Sequence, residues 1–105
     1  MNYLDKQGNP IIEGSILFYS EPIPYAESIH LVEIIDGKLH GRTVIGNYSG
    51  KYNLVENDKP VNLRFYCSFP DNDYRACDAT VIGHKDTNPE MLTVEYAEKN
   101  HPLNQ

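Results

Sequence analysis

The chain has 105 residues, 40% hydrophobic and 23% charged, with a formal net charge of −6. That length suits a single β-rich domain over residues 1–105, able to bury a core without metal or disulfide, and the composition excludes a disordered chain. The acidity disfavours non-specific binding to nucleic acid or anionic membrane, and no apolar run approaches membrane-spanning length.

Asp5 to Pro10 is a turn by composition, leading into Ile11-Ile12. Gly14 breaks the run, and Ser15 to Tyr19 reads as a short strand with apolar side chains on both faces. Glu21-Pro22-Ile23-Pro24 suits an extended loop, because two prolines remove backbone donors and fix φ. The strongest local signal follows, in Ile29 to Ile45. Two β-rich runs flank Asp36-Gly37, a pair suited to the positive φ angles of a two-residue type I′ hairpin turn. Ile29, Leu31 and Ile35 alternate against Val32 and Ile34, so both faces are apolar. Such a strand belongs inside a small barrel or between two layers. Gly46 to Gly50 reads as a tight exposed connection, and Tyr52 to Val55 as another strand closed by Asn57-Asp58-Lys59-Pro60.

Val61 to Phe69 alternates most cleanly, with Val61, Leu63, Phe65, Cys67 and Phe69 on one side. Ala79 to Ile82 is a further short strand. Thr87-Asn88-Pro89-Glu90 carries a capping-box pattern, with Thr87 as the cap and proline in the first turn. Met91 to Ala97 fits either helix or strand, and roughly 99–105 reads as a frayed tail. The fold class is therefore mostly β, a small barrel or a strongly twisted antiparallel sheet, with a short capped helix or turn near residues 88–97.

Chemistry is harder to find. Asp71-Asn72-Asp73 starts like a calcium loop, but the sixth position is Ala76 and the twelfth Ile82, where glycine and glutamate are required. Cys67 and Cys77 lack zinc-knuckle spacing, and the four histidines form no metal-binding pair. No phosphate loop or nucleophile elbow is present. No catalytic residue, metal or cofactor is expected, and the chain does not read as an enzyme. Two cysteines and no leader-like start fit an intracellular protein with reduced thiols.

Charge is unevenly spread. Residues 37–66 hold two acids and five bases, against six and one in residues 1–36 and seven and three in residues 67–105. Within the basic stretch, His40, Arg42, Tyr48, Lys51 and Tyr52 combine cations with rings and form the candidate binding surface. They suit an acidic protein partner, with tyrosines as anchors. They also suit phosphates and bases, as in small β-barrels that hold single strands. A third reading places Tyr52 in the core and leaves the charges to keep a hairpin edge soluble.

Two segments resemble a known family. Leu4-Asp5-Lys6-Gln7-Gly8-Asn9-Pro10-Ile11-Ile12-Glu13-Gly14-Ser15-Ile16 is similar to the Asp-Lys-x-Gly…Ile-x-Glu-Gly-Asp-Ile opening of YopX-like phage proteins. Val81-Ile82-Gly83-His84, then Asn88-Pro89-Glu90-Met91-Leu92, is similar to their closing Val-Ile-Gly-Asn…Asn-Pro-Glu-Leu-Leu. Ser15, His84 and Met91 depart from the pattern. The resemblance implies a phage or prophage protein with an SH3-like barrel, working in the bacterial cytoplasm, and carries over no catalytic residue. The combined expectation is a small module acting by protein–protein contact, on host or defence machinery or another phage product. A nucleic-acid-binding barrel is the alternative, and a homo-oligomer through an open strand edge is compatible with either.

Overall fold

Asp36 and Gly37 take φ values of 53° and 76°, the positive-φ pair that a type I′ turn requires. The hairpin they close is the spine of the computed structural model, which describes residues 3–19, 27–48, 50–63 and 79–101. In chain order the strands are β1 (Tyr3–Leu4), β2 (Pro10–Ile11), β3 (Ser15–Tyr19), β4 (Ser28–Ile35), β5 (Lys38–Tyr48), β6 (Lys51–Leu54), β7 (Val61–Asn62) and β8 (Ala79–His84). β1 and β2 form a small hairpin of their own, and the main sheet is antiparallel in the order β6-β5-β4-β3-β8. β7 pairs with β5 at His40 and Gly41. The described ladders do not close into a barrel, since β6 and β8 stand at opposite ends of the path.

Strands with apolar residues on both faces need cover on both faces, and different segments of the chain supply each cover. On one face Leu17, Val32 and Ala79 pack with Ile11 and Leu63, flanked by Tyr3, Tyr19, Leu39 and Val81. On the other, Ile16, Ile29, Ile45 and Tyr52 pack with Ala97, flanked by Met91, Leu92, Val94 and Tyr96. β4 thus lies between two layers. Ile16, Leu17, Ile29 and Ile45 are fully buried, each contributing about 1.5–3 kcal/mol by burial. Two register shifts adjust the sheet, at Ile29/His30 opposite β5 and at Ile16/Leu17 opposite β8. The first leaves Val44 unpaired with β4, so Val44 and Ile45 both reach the second layer although they are neighbours in sequence.

Three local readings change. Gly46 to Tyr48 belongs to β5, because Asn47 pairs with Tyr52 and Tyr48 with Lys51; the connection shrinks to a turn with Gly50 at φ 78°. In the Val61–Phe69 segment, Leu63 is buried as expected but Val61 is 42% exposed on the outer side of β5. Phe65, Cys67 and Phe69 lie outside the described residues, as does Cys77. Thr87 does not cap the helix. Its hydroxyl donates to the Asn88 side chain (2.9 Å), while Asn88 Oδ1 accepts from His84 N–H (3.3 Å). Pro89–Leu92 is consequently a single 3₁₀ turn with no side-chain cap. The cap is Thr93, whose hydroxyl accepts from Tyr96 N–H (3.2 Å) and starts α1 (Val94–Asn100). The ambiguous stretch resolves as helix.

The two end motifs meet in space. Ser15 pairs with His84 and Ile16 with Gly83, and Lys85 N–H donates to Gly14 O (2.9 Å). The His84 ring lies over Gly14, with Nδ1 accepting from Asp86 N–H (3.1 Å) and Nε2 donating to Glu13 O (2.9 Å). Gly14 has φ 88°, and a Cβ there would overlap that ring. Gly14→Ala is expected to destabilise the fold by about 2 kcal/mol, from left-handed strain plus displacement of the imidazole. Urea unfolding checks this, and a loss below about 0.5 kcal/mol would mean the His84 seat is loose.

Candidate functional site

β5 carries most of the basic and aromatic stretch, and its register decides where each side chain goes. Glu33 pairs with His40 and Leu31 with Arg42, which puts His40, Arg42 and Glu33 on one face of the sheet. Arg42 donates from Nε (3.2 Å) and Nη2 (2.9 Å) to Glu33 Oε1. Both side chains are about a third exposed, so the pair adds little stability but occupies the guanidinium. His40 Nδ1 donates to Lys38 O (2.9 Å). Tyr48 pairs with Lys51 across the turn, and Lys51 is exposed.

Tyr52 is 5% exposed, with its ring packed in the second layer and its hydroxyl donating to His101 O (2.8 Å). Burial, reinforced by the negative charge of Glu27, pushes its pKa up to about 12. The structure therefore brings His40 and Arg42 together, leaves Lys51 in solvent, and takes Tyr52 inside.

Tyr52 leads to a polar cluster that sequence reasoning did not pick out. Asn47, opposite Tyr52, is 6% exposed, and its N–H donates to Glu27 O (3.0 Å). His101 caps the C-terminal end of α1, stacked on Phe18 at 4.1 Å and edge-on to Tyr96 at 5.7 Å. Burial lowers its pKa, with Glu27 opposing. Asn47 Oδ1 and His101 Nε2 are buried with no hydrogen-bond partner among the described residues. Asn47 looked like part of a connection and His101 like part of a loose tail. No local signal joins them.

A second buried polar group sits on the opposite face. His30 is 9% exposed, with Nε2 2.7 Å from Ser28 Oγ and Nδ1 3.3 Å from Thr43 Oγ1. Asp58 anchors the neighbouring backbone by accepting from Thr43 N–H (2.9 Å). Burial pulls the His30 pKa down to about 4, against the charge of Asp58, so the ring is neutral at pH 7, donating from one nitrogen and accepting at the other.

Elsewhere large apolar side chains stay exposed. Ile12 (55%), Leu54 (55%) and Ile34 (48%) are exposed, and Ile12 and Ile34 each lie two residues from the hydrogen bond between Gly14 N–H and Val32 O (2.8 Å), which joins their segments. Glu13 and Asp36 stand exposed beside them in sequence. Among the described residues no His, Cys, Asp and Glu side chains gather in a group able to hold a metal ion, and no helix is long and apolar enough to cross a membrane. Comparison with protein families, curated proteins and solved structures returns no match for this chain.

Proposed function

We propose that this chain is a small binding module that acts through protein–protein contact, with the surface around Ile12 and Ile34 as its contact region. The observation that carries the reading is the exposure of Ile12 and Ile34 on segments joined by the Gly14–Val32 hydrogen bond, with Glu13 and Asp36 exposed nearby in sequence. Exposed apolar area with a polar rim is the usual form of a protein contact. The rim carries both signs of charge, with Glu13 and Asp36 near Lys38 and Lys85, all exposed. The net charge of −6 and the enclosed ring of Tyr52 weigh against a nucleic-acid partner. Similarity of both end segments to YopX-like phage proteins supports an open, SH3-like variant of a phage or prophage protein acting on host or phage proteins in the bacterial cytoplasm. Those segments pack against each other here, so they behave as one structural unit.

The test is capture of partners from bacterial lysate on the tagged full chain, with mass spectrometry. The expected result is a stoichiometric protein whose recovery falls at least about tenfold with the double variant Ile12→Glu/Ile34→Glu. Exposed positions should leave the thermal midpoint nearly unchanged in that variant. An empty eluate, or equal recovery by the variant, would remove the reading.

A further inference from the structure

We infer that β6 is the edge through which two copies of this chain pair, antiparallel about a twofold axis at Asn53, to form one continuous sheet. The two ends of the main sheet are finished differently. At the β8 end the outward main-chain groups are taken: Ala79 O accepts from Lys6 N–H (3.1 Å), Val81 N–H donates to Asp5 Oδ2 (2.9 Å) and His84 N–H donates to Asn88 Oδ1 (3.3 Å). The β6 end has no such cover. Val55 N–H donates to Val44 O (2.8 Å), so Lys51, Asn53 and Val55 turn their main-chain groups toward β5. The residues between them, Tyr52 and Leu54, turn theirs away. No strand lies beyond β6 on that side, and the main-chain groups of Tyr52 and Leu54 make no hydrogen bond among the described residues. Leu54 is 55% exposed, and Lys51 and Asn53, on either side of Tyr52, are exposed too. Helix α1 meets β6 on its face, where Ala97 packs with Tyr52.

An open edge accepts an extended strand, and the pattern of this one is its own complement. With the axis at Asn53, Tyr52 of each copy stands opposite Leu54 of the other. Each such pair exchanges two N–H···O bonds, so every outward donor and acceptor of Tyr52 and Leu54 is used. A shift of two residues sets Tyr52 against Glu56 or Leu54 against Gly50, beyond the ends of β6. A shift of one turns the bonding groups out of register. Leu54 shares its side of the sheet with Tyr52. The pairing therefore lays the exposed Leu54 of one copy beside Tyr52 of the other and extends the second apolar layer across the axis. The two copies of Lys51 stay roughly 13 Å apart along the strands, where their repulsion is largely screened. Because the β8 end is capped, the assembly closes at two chains instead of growing. This inference does not rest on the reading of Ile12 and Ile34.

The experiment is sedimentation equilibrium of the full chain from ~10 μM to ~1 mM. The average mass is expected to climb from that of one chain toward twice that value, with half-association near ~100 μM, as suits a small interface. The Tyr52 and Leu54 amides should exchange hydrogen about threefold more slowly at ~1 mM than at ~50 μM. Leu54→Pro removes an outward N–H and leaves the bonds to β5 in place, so its mass should stay at that of one chain. Leu54→Glu sets two carboxylates close together across the axis and should weaken association at least about tenfold, with its thermal midpoint at low concentration nearly unchanged. Ile12→Glu/Ile34→Glu should associate like the wild type. A single-chain mass up to ~1 mM would overturn the inference and leave the edge to an extended segment of a different protein. Association that persists unchanged in Leu54→Pro and Leu54→Glu, or that vanishes in Ile12→Glu/Ile34→Glu, would overturn it as well.

Discussion

Asp5→Ala should cost about 3–5 kcal/mol of folding free energy, the largest effect expected from any single change among the described residues. The Asp5 side chain is fully buried. Oδ1 accepts from Gln7 N–H (2.9 Å) and Asn9 N–H (2.7 Å); Oδ2 accepts from Val81 N–H (2.9 Å) and the Asn9 carboxamide (3.2 Å). Burial alone would raise its pKa, yet the hydrogen bonds from Val81, Asn9 and Gln7 outweigh it and hold the carboxyl below its usual value of 3.8. Removing the carboxylate strands three backbone donors, and it releases β8 from the turn that its edge leans on. Lys6 N–H to Ala79 O (3.1 Å) is then the remaining backbone bond between those segments. Asp5→Asn should lose nearly as much, because whichever way the amide turns, its NH₂ faces donors. Chemical denaturation of the three proteins checks this; an asparagine variant within about 1 kcal/mol of wild type would show that shape, not charge, fills the site.

The second large effect is a loss of stability in mild acid. His30 titrates near 6.5 when unfolded and near 4 when folded. Between those values the unfolded chain binds more protons, so the unfolding free energy falls as pH drops from 6.5 to 4 and levels off below. The full drop is on the order of 3 kcal/mol, from about 1.4 kcal/mol for each pH unit. His101, whose pKa is also lowered, adds in the same direction. Asp5 acts later: its contribution is present above pH 3.8 and disappears as pH falls through its folded pKa. Denaturation curves at pH 7, 5.5 and 4 should show the first loss, and His30→Gln should remove most of that slope while leaving the loss below pH 3.8. An unchanged slope in His30→Gln would place the proton uptake elsewhere.

What could be read from the residues divides by range. Asp36-Gly37 specifies its turn through two backbone angles, and the alternation around it needs only neighbours, so the hairpin, β3 and the two-sided burial of β4 were legible. Helix capping was half legible. Thr87 has the right partners in sequence, but Asn88 is drawn back to His84 by a strand ending that the local pattern does not contain. Asp5 reads as a turn acid, and three of its bonds are local; the fourth reaches Val81, 76 positions away. The candidate surface suffered in the same way. Tyr52 is enclosed because His101, 49 positions later, receives its hydroxyl, and the burial of Asn47 and His101 beside it arises only once those segments meet.

The strand order has a kinetic side. β3 lies between β4 and β8, so the sheet's inner strand gains its second neighbour only when the chain through His84 is available. A nascent chain leaving the ribosome therefore carries the β4–β5 hairpin with β3 still half-paired until β8 has been made. Pairings this distant slow folding and lengthen exposure to self-adhesion. The Asp5 carboxylate, waiting for the Val81 amide, acts as a latch that shuts only after the 76 residues that follow it have been made.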